Sequence, residues 1–434
     1  MKILIHVQKI TPRIVYSFKQ ICKRILGIEV DFTSKIEKFI AFEGPKFSYG
    51  KHPLGKELYF QSVELLFDHG VNEIQVQVLP WEETQCFFKV KHPKSSLPFD
   101  IFAASFFLLT RYEEYLPHKK DDLGRFSASE SVAYLHNFIK DPVVDIWAHK
   151  FKKVLLKKYP EIRFQTNQFQ VIPVIAVSQT FAYLHKGILR TYGGILRDLL
   201  TLDIQNVILR FRVLLGFTND PYNTFDSVIT LQKTKKRQSV VFFGLGDYSR
   251  LEKNIQHSNR KHQKIIKHVA DYMEVGLKVS YDAIADLAKS KQEKKRIESI
   301  NNRPLESVMC SFYKLTLPSS YRNFVELEMK EDFSMGYSNQ SGFRAGTCTP
   351  FMFYDLDYDV QTPLKINPFC LTHTSFEKTY NLDFLLKEAA TYAEKIKKVN
   401  GVFIPVFTNG LLNSQKKNNK WVSLLTQIWN LDAE

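Results

Sequence analysis

The feature that most constrains the fold of this chain is the apolar run at residues 171–177, which is followed by a polar Ser-Gln-Thr segment. An apolar run of this length before polar residues is typical of a buried central strand in a parallel α/β sheet. Similar runs follow near residues 239–246, 274–280, 307–312, 332–336, 364–371 and 402–409. Helical patterns separate them, among them 188–200, 204–215, 258–272 and 282–299. This alternation predicts a parallel barrel or a doubly wound sheet.

The first 165 residues have a mixed pattern instead. We predict strands at 2–7, 38–42 and 73–78, and helices at 13–26, 100–115 and 142–159. The segment 160–168 is polar and lacks periodicity, as expected of a boundary. Because 434 residues exceed what one ordinary core accommodates, we predict two domains. These are an α+β domain at residues 1–165 and an α/β domain at residues 166–434.

The cysteines and the apolar segments indicate the cellular compartment of the protein. The five cysteines are scattered and never form a CxxC pair, which favours a reducing compartment over a disulfide framework. The apolar start is too short for a signal peptide and is better interpreted as a strand. The longest apolar stretch, at residues 101–109, is about half the length of a membrane helix. We therefore expect a cytoplasmic protein with no membrane span.

A formal net charge of +15 raises the question of nucleic-acid binding. The basic clusters, such as those at 260–268 and 289–296, fall in separate predicted elements, and Glu293 interrupts the second one. Such charge is typical of dispersed solvated helix faces. Nucleic acid is therefore an unlikely partner.

The residues that usually carry chemistry are poorly placed along this chain. A catalytic zinc site needs several His, Asp or Glu ligands at strand ends, but His262 and His268 lie on different sides of one basic helix and are interpreted as surface or interface histidines rather than ligands. The one suggestive loop is 342–350, where glycines flank Arg344 before a proline. Two interpretations stay open. Arg344 projects into a site, or it pairs with a structural carboxylate.

The stretch 342–350, which begins Gly-Phe-Arg-Ala-Gly, is similar to the Phe-Arg-Ala/Pro motif of the polysaccharide deacetylase family, also called the NodB-homology family or carbohydrate esterase family 4. More narrowly, the chain resembles a bacteroidete subgroup with an N-terminal domain of unknown function. The matching stretches are residues 99–115, 124–126, 142–147, 182–183, 186–187, 274–276 and 342–356. The resemblance implies a distorted (β/α)7-type, NodB-like barrel after the N-terminal domain.

In this family a divalent metal, usually zinc, is bound by one Asp and two His, and a second Asp and a later His act as base and acid in removing acetyl groups from sugars. The corresponding positions of this chain hold other residues, namely Ala176, Ser178, Lys278, Met309, Ser311 and Thr408. Neutral side chains do not replace deprotonated ligands, and an ammonium repels a dication. Arg344 and Asn409 match the family. The resemblance therefore implies no metal, no cofactor and no catalytic residue.

Three functions follow as hypotheses. The first is a catalytically inactive homologue that binds a glycan or sugar nucleotide through Arg344, Asn409, Ser178 and Tyr183, in a concave site with exposed aromatic rings. The second is a scaffold or regulatory protein partner of an active homologue in envelope polysaccharide metabolism, which requires an exposed apolar patch. The third is an active deacetylase with a rearranged site that uses Asp226, Asp247 or Asp282.

Overall fold

The computed structural model describes residues 2–165, 167–235, 238–376, 381–413 and 419–431. The chain divides into two compact units. The first comprises Met1–Val171, Tyr313–Ser375 and Ala389–Ile404, and the second comprises Ile172–Phe312, Phe376–Glu388 and Pro405–Glu434. The predicted domain boundary between residues 165 and 166 stays a prediction. The first unit runs on to Val171 and also takes in two later segments of the chain. Within the described ranges, no helix has the length and apolarity needed to cross a bilayer.

The elements are numbered in chain order. The helices are α1 (Pro12–Phe18), α2 (Ile36–Ala41), α3 (Ile101–Leu109), α4 (Val132–Leu135), α5 (Val143–Lys158), α6 (Ile188–Leu200), α7 (Ile204–Leu214), α8 (Phe225–Lys235), α9 (Arg260–Ala270), α10 (Leu287–Asn301), α11 (Ser319–Glu326), α12 (Leu382–Lys398) and α13 (Lys420–Asn430). The strands are β1 (Lys2–Val7), β2 (Glu29–Thr33), β3 (Lys46–Gly50), β4 (Leu58–Gln61), β5 (Leu79–Trp81), β6 (Thr84–Cys86), β7 (Gln170–Val171), β8 (Val174–Val177), β9 (Val240–Phe243), β10 (Glu274–Val279), β11 (Ser307–Cys310), β12 (Glu331–Asp332), β13 (Phe351–Asp355), β14 (Val360–Ile366), β15 (Leu371–Thr372), β16 (Val402–Phe403) and β17 (Pro405–Thr408).

The first unit contains a parallel sheet in the order β2-β1-β3-β4. Its core is aromatic: Phe102 of the fully buried helix α3 stacks on Phe18 at 3.7 Å between ring centroids and meets Phe151 of α5 edge-on. Asp100 caps α3 by accepting hydrogen bonds from the backbone of the first turn. The unit also contains the antiparallel pair β13–β14, with β12 parallel to β14, and the parallel pair β7–β16.

The second unit is built on five parallel strands in the order β11-β10-β9-β8-β17. Strands β8, β9 and β11 are buried along their whole length, as expected of parallel strands covered on both faces. The predicted α/β class with parallel strands is confirmed. Closure of these strands into a barrel stays a prediction.

Two predicted strands of the N-terminal region are wrong. Residues 38–42 lie mostly in helix α2, where Phe39 is the buried residue and its neighbours face solvent. Residues 73–78 alternate in polarity but belong to no strand, because their backbone joins no ladder among the described residues. The predicted helices at 188–200 and 204–215 are confirmed as α6 and α7.

Candidate functional site

The carboxyl ends of the five parallel strands in the second unit form the first candidate site, since reacting groups of parallel α/β folds lie at such an edge. The residues at the positions of the family motifs are neighbours there. Thr408 of β17 is in register with Ala176 of β8, and Lys278 of β10 is in register with Met309 of β11. Ala176 and Lys278 are buried, and Thr408 is half-buried.

A buried ion pair lies at this edge. The Lys278 ammonium is 3.4 Å from Glu252 Oε1, and both side chains are less than a tenth exposed. The hydroxyl of Ser311, which follows β11, donates to the same oxygen at 2.5 Å. The backbone N–H of Tyr281 donates to Glu252 Oε2 at 2.6 Å. Glu252 comes from the irregular segment after β9, so a loop carboxylate is fixed by groups from two strand ends.

A second buried carboxylate, Glu293 of α10, lies beside this pair. It accepts hydrogen bonds from the backbone N–H of Ser280 at 3.0 Å and from the Ser280 hydroxyl. Burial raises the pKa of Glu293 to about 7, against the opposing effect of these hydrogen bonds, and the charge of Glu252 adds to the rise. Gly246 permits this approach, because a Cβ there would lie 2.7 Å from Glu293 Oε1.

Replacing Glu293 by glutamine is expected to change the pH dependence of stability. The folded-state pKa of about 7 exceeds the ordinary 4.5, so this group favours the folded state below pH 4.5 and loses that effect as the pH rises through 7. The Glu293→Gln variant should therefore lose less stability than the wild type between pH 5 and pH 8, by up to about 3 kcal/mol. Urea unfolding at both pH values measures the difference; identical pH profiles would contradict the raised pKa.

The residues at this edge do not fit a zinc ion. The Ser311 hydroxyl donates a hydrogen bond to Glu252, Ser178 and Thr408 offer only neutral hydroxyls, and Lys278 presents a positive charge. Across the ranges that the structure describes, no three His, Cys, Asp or Glu side chains are grouped to hold a metal ion. We derive no metal-dependent step from this arrangement.

Of the predicted ligand-binding residues, three lie in the second unit. Ser178 is exposed just after β8. Asn409 is buried, and its amide donates to the carbonyls of Gln179 and Tyr222 at 2.9 Å each, so it joins two loops. The Tyr183 hydroxyl donates to Asn206 of α7 at 3.3 Å.

The alternative carboxylates are dispersed. The Asp226 carboxylate is 2.8 Å from Nε2 of His268, and the Asp247 carboxylate is 3.0 Å from the guanidinium of Arg296. Asp282 is exposed. His262 is buried at an interface between elements: it is 3% exposed, contacts Thr180 Oγ1 through Nδ1 at 2.7 Å, and burial lowers its pKa to about 4.

Arg344 lies in the first unit and is 2% exposed. Its guanidinium makes two hydrogen bonds to Glu114, at 2.9 and 2.6 Å, and one to the carbonyl of Gly336. Arg111 donates to Glu114 at 2.8 Å, to Glu113 at 2.7 Å and to the carbonyl of Arg344. The Arg344 side chain is therefore paired with a buried carboxylate, Glu114, which is the second of the two interpretations that the sequence left open.

A cavity of about 210 Å³ borders this cluster within the first unit and forms a second candidate site. Arg344 forms part of its wall. Aromatic and polar side chains complete it: Asp121, Arg125, Phe126, Ser127, Ser129, Tyr134, Tyr313, Tyr337, Ser338, Asn339 and Gln340. Tyr134 is 44% exposed, whereas Tyr313 is buried. Rings with hydrogen-bonding groups between them are suited to a small polar ligand with apolar faces.

Sequence reasoning missed Glu252 and Glu293. Glu293 sits in a charged run that we interpreted as a solvated face, yet the buried residues of α10 are Ser290, Glu293, Ile297 and Ile300. That spacing is the inward stripe of a helix and was visible in the sequence. Glu252 had no comparable signal, because it lies in a segment without periodicity.

Residues 3–160 match the model of DUF7033, described as a family of unknown function. No curated protein matches the chain. The match covers the N-terminal region. Membership of the chain in the bacteroidete subgroup stays a prediction.

Among solved structures, the chain is similar to a putative polysaccharide deacetylase and to a CE4 family pseudoenzyme. A putative polysaccharide deacetylase from Mycobacterium smegmatis is 9% identical with a TM-score of 0.39, over 61% of this chain and 84% of that one. A wild-type CE4 family pseudoenzyme from Bacillus anthracis is 11% identical with a TM-score of 0.32, over 61% of this chain and 63% of that one. The chain thus spans just under two thirds of the pseudoenzyme.

Proposed function

We propose that this chain is a non-catalytic, polysaccharide-deacetylase-like protein that binds a glycan. The observation that carries the proposal is the Lys278–Glu252 ion pair at the strand ends of the second unit. An ammonium in that position neutralises the nearby carboxylate, so the site has neither a ligand set for a dication nor a free base beside a metal-bound water.

The cavity of the first unit supports the ligand class. Its wall alternates tyrosine rings with amide, hydroxyl and charged groups, which is the combination that sugar rings require for stacking and for hydrogen bonds to hydroxyls. Its volume is below the roughly 300–1,000 Å³ of drug-sized ligand pockets. We therefore propose that one sugar unit enters the cavity while the rest of the glycan follows the surface.

The test has an activity arm. Purified protein is incubated with acetylated chito-oligosaccharides and zinc, cobalt or nickel, and released acetate is measured. We expect no release above the level without protein. Metal-dependent turnover would show that the chain is an active deacetylase and would overturn the proposal.

The binding arm uses the same oligosaccharides in calorimetric titrations. The variant Tyr134→Ala removes an exposed ring from the cavity wall, and Tyr358→Ala removes an exposed ring that does not line the cavity. We expect binding about tenfold weaker in the first variant and unchanged in the second. Equal affinity of both variants would contradict the cavity assignment. Arg344→Ala is not a suitable variant, because it breaks a buried ion pair.

A further inference from the structure

Helices α6 and α7 expose an unusual amount of apolar surface. Of the large apolar side chains that are exposed in the described chain, thirteen of twenty-five lie between residues 188 and 217. Leu189 is 89% exposed, and Leu200 and Leu202, at the turn between the helices, are 76% and 82% exposed. Single exposed leucines are ordinary, but a contiguous set on one helix pair marks an interaction surface.

The exposed residues form one stripe on each helix. On α6 the stripe runs through Ile188, Tyr192, Leu196 and Leu199, and on α7 through Ile204, Ile208, Phe211 and Leu215 just beyond its end. Spacings of three and four residues keep such side chains on one face. The stripes do not face each other, since their members are exposed. The helices are instead joined by the Arg210–Asp198 ion pair, whose two side chains are about 5% exposed.

The charge around the stripes is positive. Residues 188–217 contain four basic and two acidic side chains. Asp198 is buried and pairs with both Arg210 and Arg197, and Asp203 caps α7 by accepting from the backbone N–H of Asn206. Arg212 is exposed and lies at the edge of the α7 stripe, given the helical turn of about 100° per residue, whereas Arg197 lies on the far side of α6 from its stripe.

We propose that the α6–α7 hairpin, residues 188–217, docks in the plane of an anionic lipid surface. Its leucines and aromatic rings enter the boundary between headgroups and acyl chains, and Arg212 at the edge of the α7 stripe reaches lipid phosphates, as in other interfacial helices. A lipid surface fits better than a folded protein partner because apolar side chains are exposed along the whole hairpin, its net charge is positive and its carboxylates are engaged internally. This association lies on the membrane and does not span it.

The experiment is co-sedimentation of the full chain with vesicles of phosphatidylcholine alone or with phosphatidylglycerol. We expect binding to the anionic vesicles that weakens as salt is raised. Leu200→Ser combined with Leu202→Ser should reduce the bound fraction at least about tenfold. Arg212→Gln should weaken the preference for anionic vesicles.

The matched control is Ile40→Ser combined with Leu135→Ser, two exposed apolar residues of the first unit, which should bind vesicles like the wild type. Circular dichroism checks folding, and Phe217→Ser provides a second hairpin variant. Absence of wild-type vesicle binding overturns the proposal. So does self-association in light scattering that the Leu200→Ser and Leu202→Ser variant abolishes without any vesicle binding, because the hairpin is then a protein interface.

Discussion

Replacing Glu114 by glutamine is expected to lower the free energy of unfolding by about 3–5 kcal/mol, the typical effect of removing one partner from a buried ion pair. Glu114 is 3% exposed at its side chain and accepts hydrogen bonds from both Arg111 and Arg344. With Glu113, the cluster balances two cations and two anions. The variant leaves one buried positive charge uncompensated, and the glutamine NH₂ group faces a guanidinium donor.

Urea unfolding measures this effect, and Glu29→Gln is the matched control. Glu29 pairs with Lys23 at 2.7 Å, but both side chains are more than half exposed, so the same change there should cost no more than about 1 kcal/mol. Equal effects of the two substitutions would contradict the importance of the buried cluster.

The pH dependence of this contribution has a definite sign. Burial alone would raise the pKa of Glu114, but Arg344 and Arg111 outweigh it and lower the pKa to about 2. A carboxylate with a lowered folded-state pKa stabilises the fold above its ordinary value of 4.5 and loses that effect as the pH falls through 2. Acid unfolding of the wild type therefore includes protonation of Glu114.

The second large effect is expected from Glu252→Gln, which should lower the free energy of unfolding by about 3 kcal/mol. The variant removes the anion that compensates the buried ammonium of Lys278 and weakens the acceptor used by Ser311 and by the backbone of Tyr281. Adding Lys278→Met should restore most of the lost stability, because an apolar side chain of similar length needs no counter-charge.

Urea denaturation of the two variants and of the single Lys278→Met variant completes a double-mutant cycle. A double variant as unstable as Glu252→Gln alone would mean that lost packing, and not an unpaired charge, causes the effect. The same cycle tests the basis of the proposed function, since it measures how strongly this pair is held at the strand ends.

Much of the second unit could be predicted from the sequence. The run before Ser178 became β8 and the amphipathic patterns became α6 and α7, because apolar periodicity reports burial directly. The first unit was harder. Its alternating segment at 73–78 has strand periodicity without a partner strand, and pairing is a long-range property that local pattern does not contain.

The candidate sites were predicted only in part. The substitutions at Ala176, Lys278 and Thr408 were visible, and register places Thr408 beside Ala176 at one sheet edge. Their partners were not visible: Glu252 comes from an irregular loop, and Glu114 lies 230 residues from Arg344. Side chains that meet across such separations leave no local pattern in a single sequence.

That separation has a consequence for synthesis on the ribosome. The N-terminal segment contributes Arg13 and Glu114, whose counter-charges are Asp359 and Arg344. Both partners are translated only after the intervening strands and helices of the second unit have emerged. The first unit is therefore begun before the second, but it lacks these two partners until most of the second unit has been translated. Of the two arginines that bind Glu114, only Arg111 is available until then. The Arg13–Asp359 and Glu114–Arg344 ion pairs can therefore form only late in synthesis.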